Sequence, residues 1–381
     1  MKIILNWRGS KFLEALAVFA GTIVGAGIFG LPFIASKSGF GIIIFYFIVL
    51  TFLVIAIHLL LAEVSRDTQK ICRIPGYAEE YLGKGWRNFS LIVSSTGLIG
   101  SLLAYLILGG KFMASYFSSY FNGPEAIFTL IFFALGAILI YKGIKSIAKT
   151  EVIMIAIFVL ILFLFLTRGL PFLDLKNLAT FNPRYLAFPY GAIIFSLWGL
   201  TLVPEIKELV ERNRKQLRLV IISGIILASL CYLSFIFIIL GVSGSRTSPD
   251  ALSGFVSIVG NHAAKLGFVF GLLTVFTSFI ALGLTLKKIL QYDLKLPEKT
   301  SWAIACFSPL FLYFAGIKNF IEVISLTGAI ALGLEAIIVI FIYKTFLKKR
   351  FQRQAPIWIY PLAAFFLIGL ALQIFSPILF R

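Results

Sequence analysis

The chain is poor in the residue types that carry most enzyme chemistry, and in charged residues generally. It has 3 cysteines, 2 histidines and 16 acidic residues among 381, and only 13% of its residues are charged. Cys72, Cys231 and Cys306 lie far apart and form no C-x-x-C pair, so neither a disulfide framework nor a metal site is predicted. The sequence also lacks an H-E-x-x-H motif or a cluster of nucleophile and base. An enzyme is therefore not expected.

The chain consists mostly of apolar sequence. Hydrophobic residues make up 60% of it and the mean hydropathy is +1.00, values that a water-soluble domain could not expose. We predict an all-α polytopic membrane protein that forms one transmembrane domain over residues 1–381, because no linker divides it. Eleven transmembrane helices are predicted, at 12–35, 39–63, 88–118, 125–141, 147–167, 188–204, 217–241, 259–286, 300–316, 319–343 and 356–379.

The net charge of +18 comes from basic residues that lie in short loops between apolar runs. We therefore interpret the charge as a signal of membrane topology and expect no nucleic-acid partner. Counted along the predicted spans, most basic residues fall on one side, in segments 2–11, 66–87, 142–149, 207–218, 287–299 and 344–353. The positive-inside rule then predicts a cytoplasmic (inner) membrane protein with its N-terminus in the cytoplasm and Arg381 outside.

Two connecting segments are predicted to contain short helices. The Pro-Gly-Tyr sequence at 75–77 suits a helix at the cytoplasmic surface. The Thr-Ser-Pro-Asp sequence at 247–250 suits an external helix with a Thr or Ser cap and with Pro249 and Asp250 in its first turn.

Residues that weaken helices interrupt the first predicted span. Gly21, Gly25, Gly27, Gly30 and Pro32 lie within it, and each interior Gly costs about 1 kcal/mol and a Pro about 3 kcal/mol relative to Ala. Irregular backbone in a membrane is tolerated only where it is buried in protein or lines a cavity. The pattern predicts a broken helix whose backbone groups face a ligand, and close helix packing through small residues is the alternative.

The sixth predicted span is interrupted in the same way, by Gly191, Gly199 and Pro204. It starts five spans after the first, and because five is an odd number it enters the membrane from the opposite side. This predicts a five-plus-five inverted repeat, with residues 11–168 and 188–345 as the repeats and 355–381 as an extra helix. Paired interrupted spans at corresponding positions indicate the binding site of a transporter.

Four sequence motifs resemble a known group. Gly-Thr-Ile-Val-Gly-Ala-Gly-Ile-Phe at 21–29 resembles the first-helix signature of the amino acid-polyamine-organocation (APC) superfamily. Pro-Gly-Tyr at 75–77, Val-Pro-Glu at 203–205 and Thr-Ser-Pro at 247–249 resemble its amino acid/auxin permease and aromatic amino acid permease branches.

The resemblance implies the leucine-transporter fold with broken helices 1 and 6, and secondary active transport of an amino acid by alternating access, as a cation-coupled symporter. A sensor that does not transport, or a carrier of another small amine, are the alternatives. The resemblance leaves the oligomeric state open.

The resemblance also implies a substrate site between the two breaks. Amides at 25–27 are expected to hold the substrate carboxylate, and carbonyls around Gly21, Phe195 and Ser196 are expected to face its ammonium group. The expected substrate-binding residues are Gly21, Gly25, Ala26, Gly27, Ser101, Tyr105, Phe195, Ser196 and Trp198.

Sodium is one coupling ion that the sequence suggests. Hydroxyl and carbonyl oxygens suit such a hard cation, and hydrogen bonding of each hydroxyl within its own helix is the alternative. An apolar residue near Phe158, where some sodium-independent relatives carry lysine, favours sodium over a proton. The ligands implied by the resemblance are Gly21, Val24, Thr274, Thr277 and Ser278.

A proton is the second coupling ion. Glu335 and His58 lie within predicted spans, where ionisable groups are costly and usually functional. No other cofactor is expected.

Overall fold

The computed structural model describes residues 10–68, 72–117, 121, 123–143 and 147–379, and contains helices but no strands in these ranges. Within them, seven helices are long and apolar enough to cross a membrane, or eight if one bent pair counts as a span. Two further apolar helices are shorter. The chain is thus a multi-pass helical membrane protein, while eleven spans stay a prediction. Several basic residues used for the topology lie outside the described residues: Lys2, Arg8, Lys70, Lys145 and Arg381.

The first span is broken, as expected. Helix α1 (Ser10–Ile23) and helix α2 (Gly27–Ser38) meet at an angle of 53°. Pro32 lies inside α2. The helices that follow are α3 (Phe40–Asp67), α4 (Ile74–Leu82), α5 (Lys84–Phe117), α6 (Glu125–Lys142) and α7 (Ile147–Gly169).

The sixth span is broken at the predicted place as well. Helix α8 (Pro189–Leu197) ends at Trp198, whose backbone is extended with φ −81° and ψ 115°. A 3-10 turn (Leu200–Leu202) leads into helix α9 (Val203–Leu209). Pro204 lies in the first turn of α9, where a missing N–H does no harm. The two broken spans occupy corresponding places, and the repeat boundaries stay a prediction.

Over the residues that the structure describes, the rest of the chain continues as five longer helices and two short ones, with a 3-10 turn at Gly244–Arg246. A π-helical turn (Thr327–Leu332) separates two of them. The helices are α10 (Arg214–Ser243), α11 (Leu252–Val259), α12 (Asn261–Tyr292), α13 (Glu298–Phe314), α14 (Phe320–Leu326), α15 (Gly333–Phe351) and α16 (Ile359–Leu379).

Helix α4 is the predicted helix at 75–77. Rather than lying freely on the surface it packs on α5 and α15, with Tyr77 fully buried. The Tyr77 hydroxyl donates a hydrogen bond to the Ser65 hydroxyl at 2.8 Å. The helix therefore closes this end of the bundle.

Helix α11 corrects the prediction of its cap. It begins at Leu252, so Pro249 and Asp250 precede it instead of forming its first turn. The Asp250 carboxylate accepts the Ser253 N–H at 2.8 Å and thus acts as the cap. The Ser248 hydroxyl donates to the Asp250 carboxylate at 2.7 Å and accepts the Gly254 N–H at 2.9 Å, so both side chains bond amides of the first turn of α11. Ala251 has φ +60°, a left-handed conformation that prevents an earlier helix start.

Helix α8 approaches the π-helical turn closely, backbone against backbone, at Gly191 and Gly328. A Cβ atom on Gly328 would lie 1.9 Å from the Gly191 carbonyl oxygen, so no larger residue fits there. This close approach brings the first turn of α15, which carries Glu335, toward the break in the sixth span.

Candidate functional site

One small cavity lies beside the two breaks: Thr22 of α1 borders it, as do Trp198 and Gly199 of the second break, whereas the predicted residues 25–27 of the first break do not. Its volume is about 60 Å³, roughly that of two water molecules. The cavity must therefore widen before it can hold an amino acid. The residues that line it are Thr22, Ser94, Gly97, Leu98, Ser101, Tyr105, Phe195, Trp198, Gly199, Thr201, Leu202, Ser278, Ala281, Leu282, Leu332 and Glu335. The sequence predicted Ser101, Tyr105, Phe195, Trp198, Ser278 and Glu335 among them.

The first break frees backbone groups. The Gly25 N–H donates to the Ile23 carbonyl at 2.7 Å and not to Gly21, one turn earlier. The Ile28 N–H likewise donates to the Gly25 carbonyl at 3.3 Å and bypasses Val24. The carbonyls of Gly21 and Val24 thereby lose their usual helical donors, which is the condition for the ligand role predicted for them.

The amides of the first break differ from one another. The Gly25 amide is already bonded inside the break, contrary to the expectation that it is open for a carboxylate. In the described part of the chain, the Ala26 N–H donates to no backbone carbonyl. The Gly27 N–H likewise has no backbone acceptor among the described residues, so Ala26 and Gly27 both have open amides at the start of α2, where the helix dipole favours an anion.

Two glycines keep the first break close to its neighbours. A Cβ atom on Gly25 would lie 3.1 Å from the Tyr105 hydroxyl and 3.7 Å from the Ser278 hydroxyl. One on Gly27 would lie 2.2 Å from the Ser196 hydroxyl and 3.0 Å from its Cα atom. The structure thereby brings predicted residues of spans one, three, six and eight together.

Side chains hold the second break open. The Gly199 N–H donates to His58 Nε2 at 3.2 Å, so the Phe195 carbonyl loses its usual helical donor. His58 Nδ1 lies 2.8 Å from the Val54 carbonyl, and the two contacts together assign the neutral tautomer with the proton on Nδ1. His58 therefore acts here as an acceptor that holds the break.

Glu335 contacts the second break through the side chain of Trp198. The Trp198 indole N–H donates to one carboxylate oxygen at 2.8 Å, and the Ser94 hydroxyl donates to the other at 2.6 Å. Glu335 is 2% exposed, and no basic side chain among the described residues forms an ion pair with it. A carboxylate with two neutral donors thus borders the cavity.

Comparison with known proteins agrees with these features. Residues 8–378 match the model of the tryptophan/tyrosine permease family. The chain belongs to this family. The resemblance found in the motifs is confirmed, and the protein is a permease and not an enzyme.

Two relatives named for amino acid transport are similar to the permease over most of its length. Tyrosine-specific transport system 1 of Haemophilus influenzae is 25% identical over 302 residues, which cover 75% of this chain and 74% of that protein. Glutamine transporter 2 of Aliivibrio fischeri is 25% identical over 359 residues, which cover 89% and 90%.

Two solved structures share the fold. MhsT in complex with L-phenylalanine has a TM-score of 0.63 at 14% identity, covering 97% of this chain and 98% of that one. The Eremococcus coleocola manganese transporter has a TM-score of 0.65 at 12% identity, covering 98% and 87%. The predicted leucine-transporter fold is confirmed.

Tyr232 of α10 joins the two breaks of the permease, and sequence reasoning missed it. Its hydroxyl lies 2.6 Å from the Ile23 carbonyl and 2.8 Å from the Ser196 carbonyl, so that one proton serves both. The Ser196 carbonyl, expected to face the ammonium group, is thus already bonded, and the Ser196 hydroxyl donates back to Ala192 at 2.7 Å. The available signal was a tyrosine in an apolar span, which usually finds a partner for its hydroxyl.

The predicted sodium ligands of the permease are divided. Ser278 lines the cavity, whereas Gly21, Val24, Thr274 and Thr277 do not. The Thr277 hydroxyl donates to the Thr274 carbonyl at 3.1 Å, the bonding within a helix that was the alternative. The buried Thr274 hydroxyl has no hydrogen-bond partner among the described residues.

Proposed function

We propose that the chain carries an amino acid across the cytoplasmic membrane by alternating access, with its N-terminus inside and its C-terminus outside. The observation that carries the proposal is the pair of broken helices that line one cavity. Membership of the permease family and relatives named for tyrosine and glutamine transport support an amino acid as the substrate.

The substrate would be held mainly by backbone groups. The Ala26 amide, at the positive end of the α2 dipole, would bind the carboxylate. The carbonyls of Gly21 and Phe195, which the breaks release from their helices, would accept the ammonium protons. Tyr105 and Trp198 would then contact the side chain of the substrate.

A proton on Glu335 is the coupling ion that we propose. The sequence favoured sodium, but of the expected ligands only Ser278 lines the cavity, and the Thr277 hydroxyl donates within its own helix to the Thr274 carbonyl. Glu335, in contrast, borders the cavity and contacts Trp198 of the second break directly. Protonation would remove a buried charge and weaken the hydrogen bond from Trp198, and so couple proton binding to the geometry of the break.

Uptake into proteoliposomes tests both proposals. Amino acid uptake is measured with a pH gradient alone and with a sodium gradient alone, and exchange is measured by counterflow without any gradient. We expect the pH gradient, and not the sodium gradient, to drive accumulation. Accumulation driven by the sodium gradient alone would contradict the proposal that a proton is the coupling ion. It would favour sodium binding at the predicted ligands, which are Gly21, Val24, Thr274, Thr277 and Ser278.

Two matched variants sharpen the experiment. Glu335→Gln should abolish accumulation driven by the pH gradient while retaining counterflow, because exchange requires no net proton movement. Glu322→Gln, on the exposed surface of the same span, should behave as the unaltered chain does. Absence of counterflow for every amino acid in the unaltered chain would favour the sensor, and counterflow of other amines alone would favour an amine carrier.

A further inference from the structure

A second cavity lies on the outer surface of the helix bundle, apart from the two breaks. Its volume is about 290 Å³. It is open toward the surroundings, since Phe52 is 70% exposed and Trp358 is 49% exposed. The residues of this arginine groove are Phe52, Ile55, Ala56, Leu59, Leu60, Ala62, Glu63, Arg66, Arg214, Leu217, Arg218, Tyr343 and Trp358.

The arginine groove is apolar at one end and charged at the other. Its apolar wall follows α3 from Phe52 toward Glu63, a distance of about 16 Å at the helical rise of 1.5 Å per residue. This is close to half of the roughly 30 Å hydrocarbon core of a bilayer. The apolar part therefore has the length of an acyl chain in one leaflet.

The charged end has more basic than acidic groups. Arg214 lies 3.9 Å from Glu63, and Arg66 bonds to the neighbouring Asp67 at 2.6 Å. Arg218 forms no ion pair with any residue that the structure describes, and its side chain is exposed. Three guanidinium groups thus face two carboxylates, and guanidinium groups bind phosphate well because their N–H donors match its oxygen atoms.

We infer that the arginine groove binds an anionic phospholipid of the leaflet on the side predicted to be cytoplasmic. One acyl chain lies along Phe52, Ala56 and Leu59, and the phosphate lies between Arg214 and Arg218. The site is independent of the proposed transport, because none of its residues lines the cavity between the two breaks.

Lipid binding to the purified full-length permease in detergent tests the inference. Phosphatidylglycerol and phosphatidylcholine with identical acyl chains are titrated, and bound lipid is counted by native mass spectrometry. We expect phosphatidylglycerol to bind at least tenfold more tightly. Equal binding of the two lipids would overturn the inference.

Three variants locate the site. Arg218→Gln should weaken binding of phosphatidylglycerol about fivefold and leave phosphatidylcholine unchanged, as loss of one cation near a membrane surface predicts. Lys215→Gln, at an exposed position of the same helix outside the groove, should change the affinity for phosphatidylglycerol less than twofold. Ala56→Phe fills the apolar part of the groove and should weaken the binding of both lipids.

The decisive variant is Arg218→Gln, because an exposed residue can be replaced without disturbing the core. Equal effects of Arg218→Gln and Lys215→Gln would show nonspecific attraction and overturn the site. Displacement of phosphatidylglycerol by an equal concentration of inorganic phosphate or glycerol phosphate would contradict the inference. It would show that the ligand of the groove is a soluble anion and not a lipid.

Discussion

The two broken helices that border the central cavity are built differently. The first break is formed mainly by local sequence: glycine without a side chain lets the backbone turn by 53° and approach Tyr105 and Ser196, and Tyr232 of α10 bonds the Ile23 carbonyl at its edge. The second break depends on distant residues. His58 of α3 accepts the Gly199 N–H, and Glu335 of α15 accepts the Trp198 indole N–H.

The difference indicates distinct roles. Among the described residues, no histidine or carboxylate bonds the backbone of the first break, so a change in the protonation of such groups leaves its backbone groups in place. A break held by a histidine and a carboxylate responds to anything that alters them. The proposed function therefore leads us to expect substrate recognition chiefly at the first break and coupling chiefly at the second.

The largest expected effect is that of Gly27→Leu, which places a large side chain at the first break. Its Cβ atom would overlap the Ser196 side chain and backbone, so amino acid binding and transport should be lost, with measured uptake at background. Gly41→Leu is the matched control, since a Cβ atom there meets nothing within 4 Å. Retained uptake in Gly27→Leu would show that the first break is not the recognition site.

His58→Leu should disable the second break while leaving the first intact. The Gly199 N–H would lose its partner, at roughly 1–3 kcal/mol for a buried donor. We expect uptake driven by the gradient to fall about tenfold or more, with smaller losses in substrate affinity measured by equilibrium binding. A loss of affinity as large as the loss of uptake would contradict the division of roles.

Tyr232→Phe removes the hydroxyl that joins the breaks. It leaves the carbonyls of Ile23 and Ser196 with one donor fewer, so we expect a loss of about 1–2 kcal/mol in unfolding free energy, measured as a lower thermal midpoint in detergent. Tyr292→Phe, at an exposed tyrosine, serves as the control. Equal midpoints for the two variants would show that Tyr232 does not stabilise the breaks.

Asp250→Asn acts away from both breaks and should have the smallest effect. Burial raises the pKa of Asp250, but the charge of Lys111, 2.7 Å away, and several hydrogen bonds outweigh this, so that the net pKa is lowered. The stabilisation is present above the unfolded pKa of about 3.9 and is lost as the pH falls through the folded pKa.

The measurement is the thermal midpoint of Asp250→Asn as a function of pH. We expect a loss of roughly 1 kcal/mol at pH 7, shrinking below about pH 4, with uptake nearly unchanged. Asp174→Asn, at an exposed loop position, is the control. It should lose less unfolding free energy than Asp250→Asn at every pH. If the difference in thermal midpoint between Asp250→Asn and the unaltered chain grew toward low pH, the stabilisation by ionised Asp250 would be contradicted.

Most elements of the fold could be predicted from the sequence, as could part of the site. Both breaks follow from glycine and proline within apolar spans, and Glu335 stood out because a carboxylate is costly in a membrane. Tyr232 and Ser94 did not stand out, since tyrosine and serine occur throughout the chain and only their neighbours show their function. The start of α11 was misplaced for a similar reason: Asp250 accepts the Ser253 N–H and Ser248 accepts the Gly254 N–H, and only the positions of these groups show that both residues precede the helix.

The sequence by itself determined that the chain is a helical membrane protein with two interrupted spans, because apolar run length and helix propensity are local properties. Only the tertiary structure decided which groups complete the second break and which carbonyls remain open. Hydrogen bonds such as those from Gly199 to His58 and from Trp198 to Glu335 join residues more than 130 positions apart. Their formation depends on how the spans pack, which no local pattern contains.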